Sequence, residues 1–241
     1  MSVDRFEPTD GALLIDKPPG FTSHDVVNVI RRKLDMKRVG HCGTLDPSAT
    51  GLLIVVTGKG TKLSERLMGD DKAYDGCIRF GETTDSYDAD GNTVDTLPIP
   101  PLTVEELNET AAKLTGDMMQ TPPMVSAVKV GGKPLYKYAR KGIEVERKAR
   151  LVHVYHFKIF DYEAPEAEFA ITCTKGTYIR SLAHDLGQLV GCGAHLTELR
   201  RTESGKFDLD EATPLEDLLE MPRAEVVSKI LSVTQLQRRT R

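Results

Sequence analysis

Two rhythms of apolar and polar positions run along this chain. Gly11 to Asp16 is a short apolar run that reads as a strand, closed by Lys17-Pro18-Pro19-Gly20. Ser23 then stands as the N-cap of a helix, with Val26, Val27, Ile30 and Leu34 at helical spacing beside Arg31, Arg32 and Lys33. Leu52 to Val56 is unbroken and predicts a buried strand. Thr61 to Met68 predicts a short helix, Lys72 to Phe80 a strand, and Gly81 to Pro101 turn and loop, being rich in Gly, Asp, Thr and Pro. Thr103 to Leu114 predicts a helix capped by Thr103, with Glu106 at capping-box spacing. After the break at Thr121-Pro122-Pro123, Leu151–Tyr162 and Ala167–Thr174 carry the β-branched and aromatic residues of strands. Tyr178–Val190 predicts a helix that stops at Gly191-Cys192-Gly193. Leu215–Leu219 and Arg223–Ile230 predict short helical pieces, and the tail from Gln237 to Arg241 is expected to fray. Strands and helices mix without a strict βαβ rhythm or an internal repeat, so the pattern alone points to a mixed sheet of the α/β type.

Composition narrows this picture. The chain has 241 residues, 39% apolar and 28% charged, enough for a substantial core in one large domain or two small ones. No apolar run approaches the roughly 20 residues that span a bilayer. The start, Met1 to Glu7, is polar and lacks an apolar signal region, so a cytoplasmic location is expected and a membrane is not. Cys42, Cys77, Cys173 and Cys192 are too widely spaced for paired zinc ligands and read as free, mostly buried thiols.

The net charge of −4 hides an uneven distribution. Lys129 to Arg150 holds eight Lys/Arg against two acidic residues, whereas Glu82 to Glu109 holds eight acidic residues and no Lys/Arg. A solvated helix face is the plain account of the basic segment. Its one-sided charge and its two tyrosines, Tyr136 and Tyr138, favour contact with nucleic acid.

Several familiar patterns fail. Gly58-Lys59-Gly60-Thr61 lacks the spacing of a phosphate loop and reads as a strand-to-helix turn. Asp88-Ala89-Asp90-Gly91 set in a calcium loop would put Leu97 where the bidentate Glu belongs. The six histidines show no metal-ligand spacing, so no metal is expected.

The segment Gly40-His41-Cys42-Gly43-Thr44-Leu45-Asp46-Pro47-Ser48-Ala49-Thr50-Gly51 is the most informative. It sets one carboxylate, Asp46, in a tight turn directly before the apolar run, which places a reactive group at the rim of a sheet. An Asp-Pro pair by itself only starts a turn. This string, however, resembles the signature G-H-x-G-T-L-D-P-x-A-x-G of the TruB family of tRNA pseudouridine synthases, and the likeness runs from about Gly11 to about Phe207. It implies Asp46 as the catalytic nucleophile. Cys173-Thr174-Lys175-Gly176-Thr177-Tyr178-Ile179-Arg180-Ser181-Leu182 resembles a second family motif, which implies that Arg180 pairs with Asp46 and that Tyr178 lines the base pocket. A guanidinium there would hold the carboxylate charged and orient it. Lys72-Ala73-Tyr74 matches the K-x-Y element and makes Tyr74 the third active-site residue, with Lys72 in support. By the same resemblance His41 faces RNA, Leu199 walls the pocket, and Arg200 and Arg201 hold structure or phosphate. Pro122 to Arg150 resembles an insertion that grips the T stem-loop, for which Lys129, Lys133, Tyr136, Arg140 and Lys141 supply charge and a stacking ring.

The implied fold is the α+β pseudouridine-synthase fold, a long mixed, mostly antiparallel sheet with flanking helices and an inserted thumb. Its expected organisation is a catalytic domain over 1–207, with the thumb at 121–150, and a short extension over 208–241. The extension, about 35 residues, is too short for the RNA-binding PUA domain that family members often carry. The implied reaction isomerises the T-loop uridine conventionally numbered 55. It breaks C1′–N1, turns the base and joins C1′ to C5, with no redox change or hydrolysis, so neither cofactor nor obligatory protein partner is expected. Asp46 could attack C1′ as in retaining glycosidases, attack C6, or promote elimination to a glycal. The uridine must be flipped out of its stack. Two rivals are an RNA N-glycosidase, which needs a second carboxylate to activate water, and a non-catalytic tRNA-folding chaperone.

Overall fold

A computed structural model of the chain describes residues 7–126, 128–139 and 141–240. It contains two compact units, one reaching from the chain start to Tyr74 and resuming at Arg200, the other running from Asp75 to Leu199. The first unit opens with β1 (Gly11–Lys17), α1 (Ser23–Leu34), β2 (Val39–His41), β3 (Thr50–Thr57), a 3-10 segment (Gly58–Leu63) and α2 (Ser64–Met68). Strand β4 (Lys72–Phe80) carries the chain into the second unit. There follow β5 (Glu82–Thr84), β6 (Thr93–Thr96), α3 (Val104–Ala111), β7 (Gly116–Gln120), β8 (Lys129–Val130), β9 (Lys133–Pro134) and α4 (Leu135–Ala139). Then come β10 (Arg150–Glu163), β11 (Glu166–Cys173), α5 (Ile179–Val190) and β12 (Ala194–Ser204), which returns the chain to the first unit. The closing elements are β13 (Phe207–Asp208), β14 (Thr213–Pro214), α6 (Leu215–Glu220), α7 (Arg223–Ser228), β15 (Leu231–Ser232) and α8 (Val233–Arg239).

In the first unit β1 and β3 are antiparallel, in register from Gly11 opposite Thr57 to Lys17 opposite Gly51. Strand β12 joins β3 in parallel, Arg200 opposite Thr50 and Arg201 opposite Gly51. The interior position of β3 explains its unbroken apolar run, since Leu52 to Val56 are all buried. One core gathers Ala12, Leu14, Leu52, Ile54, Val56, Leu67, Phe207 and Leu236. Helix α1 buries Val26, Val27, Ile30 and Leu34, as its spacing predicts, but its cap is Thr22 rather than Ser23. Thr22 and Asp25 form a reciprocal capping box, which leaves the Ser23 hydroxyl for another task.

In the second unit the sheet order is β12-β4-β11-β10-β7. Strand β10 is antiparallel to both β11 and β7. Phe157 and Phe169 meet edge to face across β10 and β11, with centroids 5.7 Å apart. Helix α3 carries the predicted Thr103–Glu106 capping box. Its Asn108 is tied to Ile159, donating to the carbonyl at 2.7 Å and accepting from the amide at 3.0 Å. Gly191 ends α5 in the left-handed conformation.

The pairing is mostly antiparallel, with β1–β14 and β3–β12 parallel, which makes this an α+β fold rather than an α/β one. Three other expectations change. The stretch Gly81–Pro101 holds the hairpin β5–β6, whose turn-like composition fits its exposed second strand. The helix expected over Thr61–Met68 divides into 3-10 and α pieces. The tail is helical as far as Arg239: Ser232 and Gln235 cap α8, Leu236 enters the core, and Arg239 holds both oxygens of Glu211 at 2.7 Å, while Arg241 lies outside the described residues. Its polar residues concealed the apolar pair Val233 and Leu236, both buried. All four cysteines are free, and three are buried. Among the described residues no helix is long and apolar enough to cross a membrane.

Candidate active site

The backbone on either side of Asp46 is tied down. The Ser23 hydroxyl donates to the Leu45 carbonyl at 3.1 Å and accepts from the Leu45 amide at 2.9 Å. The Pro47 carbonyl accepts from the Gly20 amide at 2.9 Å and from the Lys17 ammonium at 3.2 Å. Asp46 thus sits between two residues clamped from outside the loop. Lys17 was not expected here. It is 0% exposed, and its ammonium also donates to the carbonyls of Pro18 and Phe21 at 2.9 and 2.8 Å. Burial pushes its pKa down to about 8, the Asp46 carboxylate pulls it up, and Arg201 pushes it down.

Arg201 is the second clamp. It is 1% exposed and donates to the Leu52 carbonyl at 2.7 Å and the Gly43 carbonyl at 3.2 Å. Its approach explains two glycines. Gly51, at φ +95°, would bring a Cβ within 2.3 Å of the Arg201 carbonyl oxygen, and Gly43 is also left-handed, at φ +96°. Of the two expected uses of this arginine, holding structure is the one its bonds serve. Arg200 likewise forms a fork on Asp16, at 3.1 and 2.7 Å.

The other first-unit residues expected at the site are His41, Lys72 and Tyr74. Lys72 is buried on β4, and its ammonium donates to the carbonyls of Met68, at 3.1 Å, and Asp70. Tyr74 is buried one pleat further along the same strand. His41 is half-buried with no hydrogen-bond partner on Nδ1, and burial, then Arg201, lowers its pKa. Cys42 lies in the core, where burial pushes its thiol up to about 12, so it is no nucleophile at neutral pH.

Arg180, Tyr178 and Leu199 belong to the second unit. Arg180, 3% exposed on α5, donates to the carbonyls of Ser86 at 2.9 Å and Val125 at 2.8 Å. Its Nη1 also lies 3.1 Å from Oδ2 of Asp88. Sequence reasoning met Asp88 only as a failed calcium ligand. The signal that finds it is the demand of a buried arginine for a nearby carboxylate. Tyr178 precedes α5, and Gln120 holds its amide at 2.7 Å and its carbonyl at 3.1 Å. The Arg150 guanidinium lies over its ring at 4.7 Å. Gln120 was also missed, since nothing in its surroundings distinguishes it from any strand-end glutamine. Leu199 is half-buried on β12.

In the thumb, β8 and β9 form a small hairpin followed by α4. Lys129, Lys133 and Lys141 are exposed, Tyr136 is half-buried, and Arg140 lies outside the described residues. The Tyr138 hydroxyl donates to the Val130 carbonyl at 3.1 Å, which braces the hairpin against the helix.

Known proteins resemble this arrangement over most of the chain. Residues 31–179 match the model of the TruB family pseudouridylate synthase N-terminal domain, and residues 180–235 match that of the tRNA pseudouridylate synthase B C-terminal domain. A tRNA pseudouridine synthase B from Opitutus terrae is 53% identical over 226 residues, 94% of each chain. One from Aromatoleum aromaticum is 47% identical, covering 94% of this chain and 73% of that one. A solved chain from a Cbf5-Nop10-Gar1 complex superimposes with a TM-score of 0.70 at 31% identity, over 88% of this chain. This chain spans 54% of that longer one. On these matches, the chain belongs to the TruB family.

Proposed function

We propose that this chain is a tRNA pseudouridine synthase that isomerises the T-loop uridine at position 55, with Asp46 as nucleophile. The observation that carries this reading is the clamped loop. A carboxylate flanked by residues bonded to Ser23, Gly20 and Lys17 is pre-organised for attack at a sugar carbon. The 53% identity to a tRNA pseudouridine synthase B supports the substrate class. Arg180 orients the carboxylate, Tyr74 supports the base and relieves its C5 proton, and Tyr178 and Leu199 line the pocket that receives the flipped uridine. The flip costs a few kcal/mol, roughly, and pocket contacts offset it.

His41 and Lys72 border the extruded nucleotide, and Lys129, Lys133, Tyr136, Arg140 and Lys141 grip the T stem-loop through phosphate contact and stacking. Residues 1–207 act as the catalytic domain with the thumb inserted at 121–150, and 208–241 as its extension. The enzyme works in the cytoplasm. An N-glycosidase needs a second, water-activating carboxylate, whereas the charge coupled to Asp46 here is the Lys17 ammonium. The test is incubation with an unmodified T-arm hairpin and mapping of pseudouridine at nucleotide resolution. Conversion at the single T-loop uridine is expected. Release of free uracil, or an unchanged RNA, overturns the reading.

A further inference from the structure

Helix α5 presents Arg180 and His184 four residues apart, on one face. The turn 86–88 reaches both. Ser86 and Asp88 engage the Arg180 guanidinium, at 2.9 Å through the Ser86 carbonyl and 3.1 Å through the Asp88 carboxylate. The residue between them, Tyr87, stacks on the His184 ring, with centroids 4.0 Å apart and planes 18° from parallel.

Tyr87 adopts φ +66°, a left-handed backbone that a bulky L residue rarely takes. This conformation lets the groups on either side of it converge on one guanidinium nitrogen. Glycine or asparagine would adopt it with less strain, so a large aromatic here points to a use for the ring. Asp88 is itself held, its Oδ1 accepting from the Ser86 hydroxyl at 2.5 Å and the Asp90 amide at 3.1 Å. The turn is also tied to β12, where the Leu196 amide donates to the Tyr87 carbonyl and the Leu196 carbonyl accepts from the Ala89 amide, each at 3.0 Å, and the Tyr87–His184 stack is what ties it to α5 through side chains. The His184 ring suits a flat apolar contact. Its Nδ1 is buried without a hydrogen-bond partner, and burial, opposed by Asp185, lowers its pKa.

We propose that Tyr87 and His184 are positioning residues that lock the 86–88 turn onto Arg180 and so set the direction of its guanidinium. The proposal rests on the functional reading above, in which Arg180 serves Asp46.

Tyr87→Gly is the sharpest test, because glycine suits the backbone and only the ring is lost. His184→Ala removes the other half of the stack. Single-turnover pseudouridine formation on a T-arm hairpin should fall roughly tenfold in each. RNA affinity should stay within twofold, and the double variant should be no slower than either single one. Tyr87→Phe and His184→Phe, which keep the ring, should recover most of the loss. Rates within twofold of wild type in Tyr87→Gly and His184→Ala, or a loss confined to affinity, overturn the proposal while the functional reading stands. A wild-type chain that makes no pseudouridine overturns both.

Discussion

The Asp46 loop and the thumb are both set among basic side chains, yet their cations are placed in opposite ways. Around the loop, Lys17, Lys72 and Arg201 are buried and direct their donors at main-chain carbonyls, those of Pro18, Phe21, Pro47, Met68, Asp70, Gly43 and Leu52. In the thumb, Lys129, Lys133 and Lys141 are exposed and make no ion pair among the described residues. The first set holds a backbone in one shape. The second leaves its charge facing outward, which is the placement the proposed grip on a polyanion needs. A lysine's job is thus decided by burial, which one-dimensional charge counting does not register.

The largest effect that sharpens this contrast comes from the carboxylate the first set serves. Asp46→Asn keeps the shape of the side chain and removes the proposed nucleophile. Isomerisation should fall by more than about a thousandfold while RNA binding changes little. Quench-flow assay and filter binding on one hairpin give both numbers. A variant retaining a tenth of the activity would show that the clamped loop holds something other than the reacting group.

Arg201→Met probes the clamp itself. Methionine fills much of the volume but abandons the carbonyls of Gly43 and Leu52, each worth roughly 1–3 kcal/mol when left unsatisfied. The first unit should lose about 3 kcal/mol in urea unfolding. A phosphate-binding role alone would leave stability unchanged and weaken RNA affinity.

How much of this was legible in advance follows the same division. Elements with strong periodicity, such as α1, β3 and α3, were readable because local pattern and burial agree. Strand β12 was not, since Thr197-Glu198-Leu199-Arg200-Arg201-Thr202 is polar, and Arg201 is nevertheless 1% exposed. The tail helix α8 was hidden in the same way. At the site, the family motifs alone singled out Asp46, Arg180 and Tyr178. Lys17, Ser23, Gln120 and Asp88 gave no such signal, because each engages a group at least 22 residues away. Pairings at that distance exist only once the chain has folded.

Lys17 gives a pH signature. With its pKa near 8, the ammonium loses its proton as pH rises through that value, and a cation that attracts the Asp46 carboxylate disappears. The rate should therefore be flat below about pH 7 and fall several-fold as pH passes through about 8 to 9. Lys17→Met should start lower and lose this limb. A limb that survives in Lys17→Met belongs to another group and would separate the clamp from the pH response.

The thumb offers the smallest effect on the protein and the cleanest contrast. Replacing Lys129, Lys133 and Lys141 together by Gln removes three exposed charges that hold no carbonyl among the hydrogen bonds assigned. Folding stability should move by less than about 0.5 kcal/mol per site. RNA affinity should drop, and the slope of log Kd against log salt should shrink by up to about 2, at roughly 0.7 per lost phosphate contact on a single strand. The rate of the bound complex should not change, since in the proposed function these side chains grip and do not react. Titrations at two or three salt concentrations settle it: an unchanged slope would mean that the lysines meet water rather than phosphate. The exposed cations would then be a solvated surface, and only the buried ones around Asp46 would have a defined task.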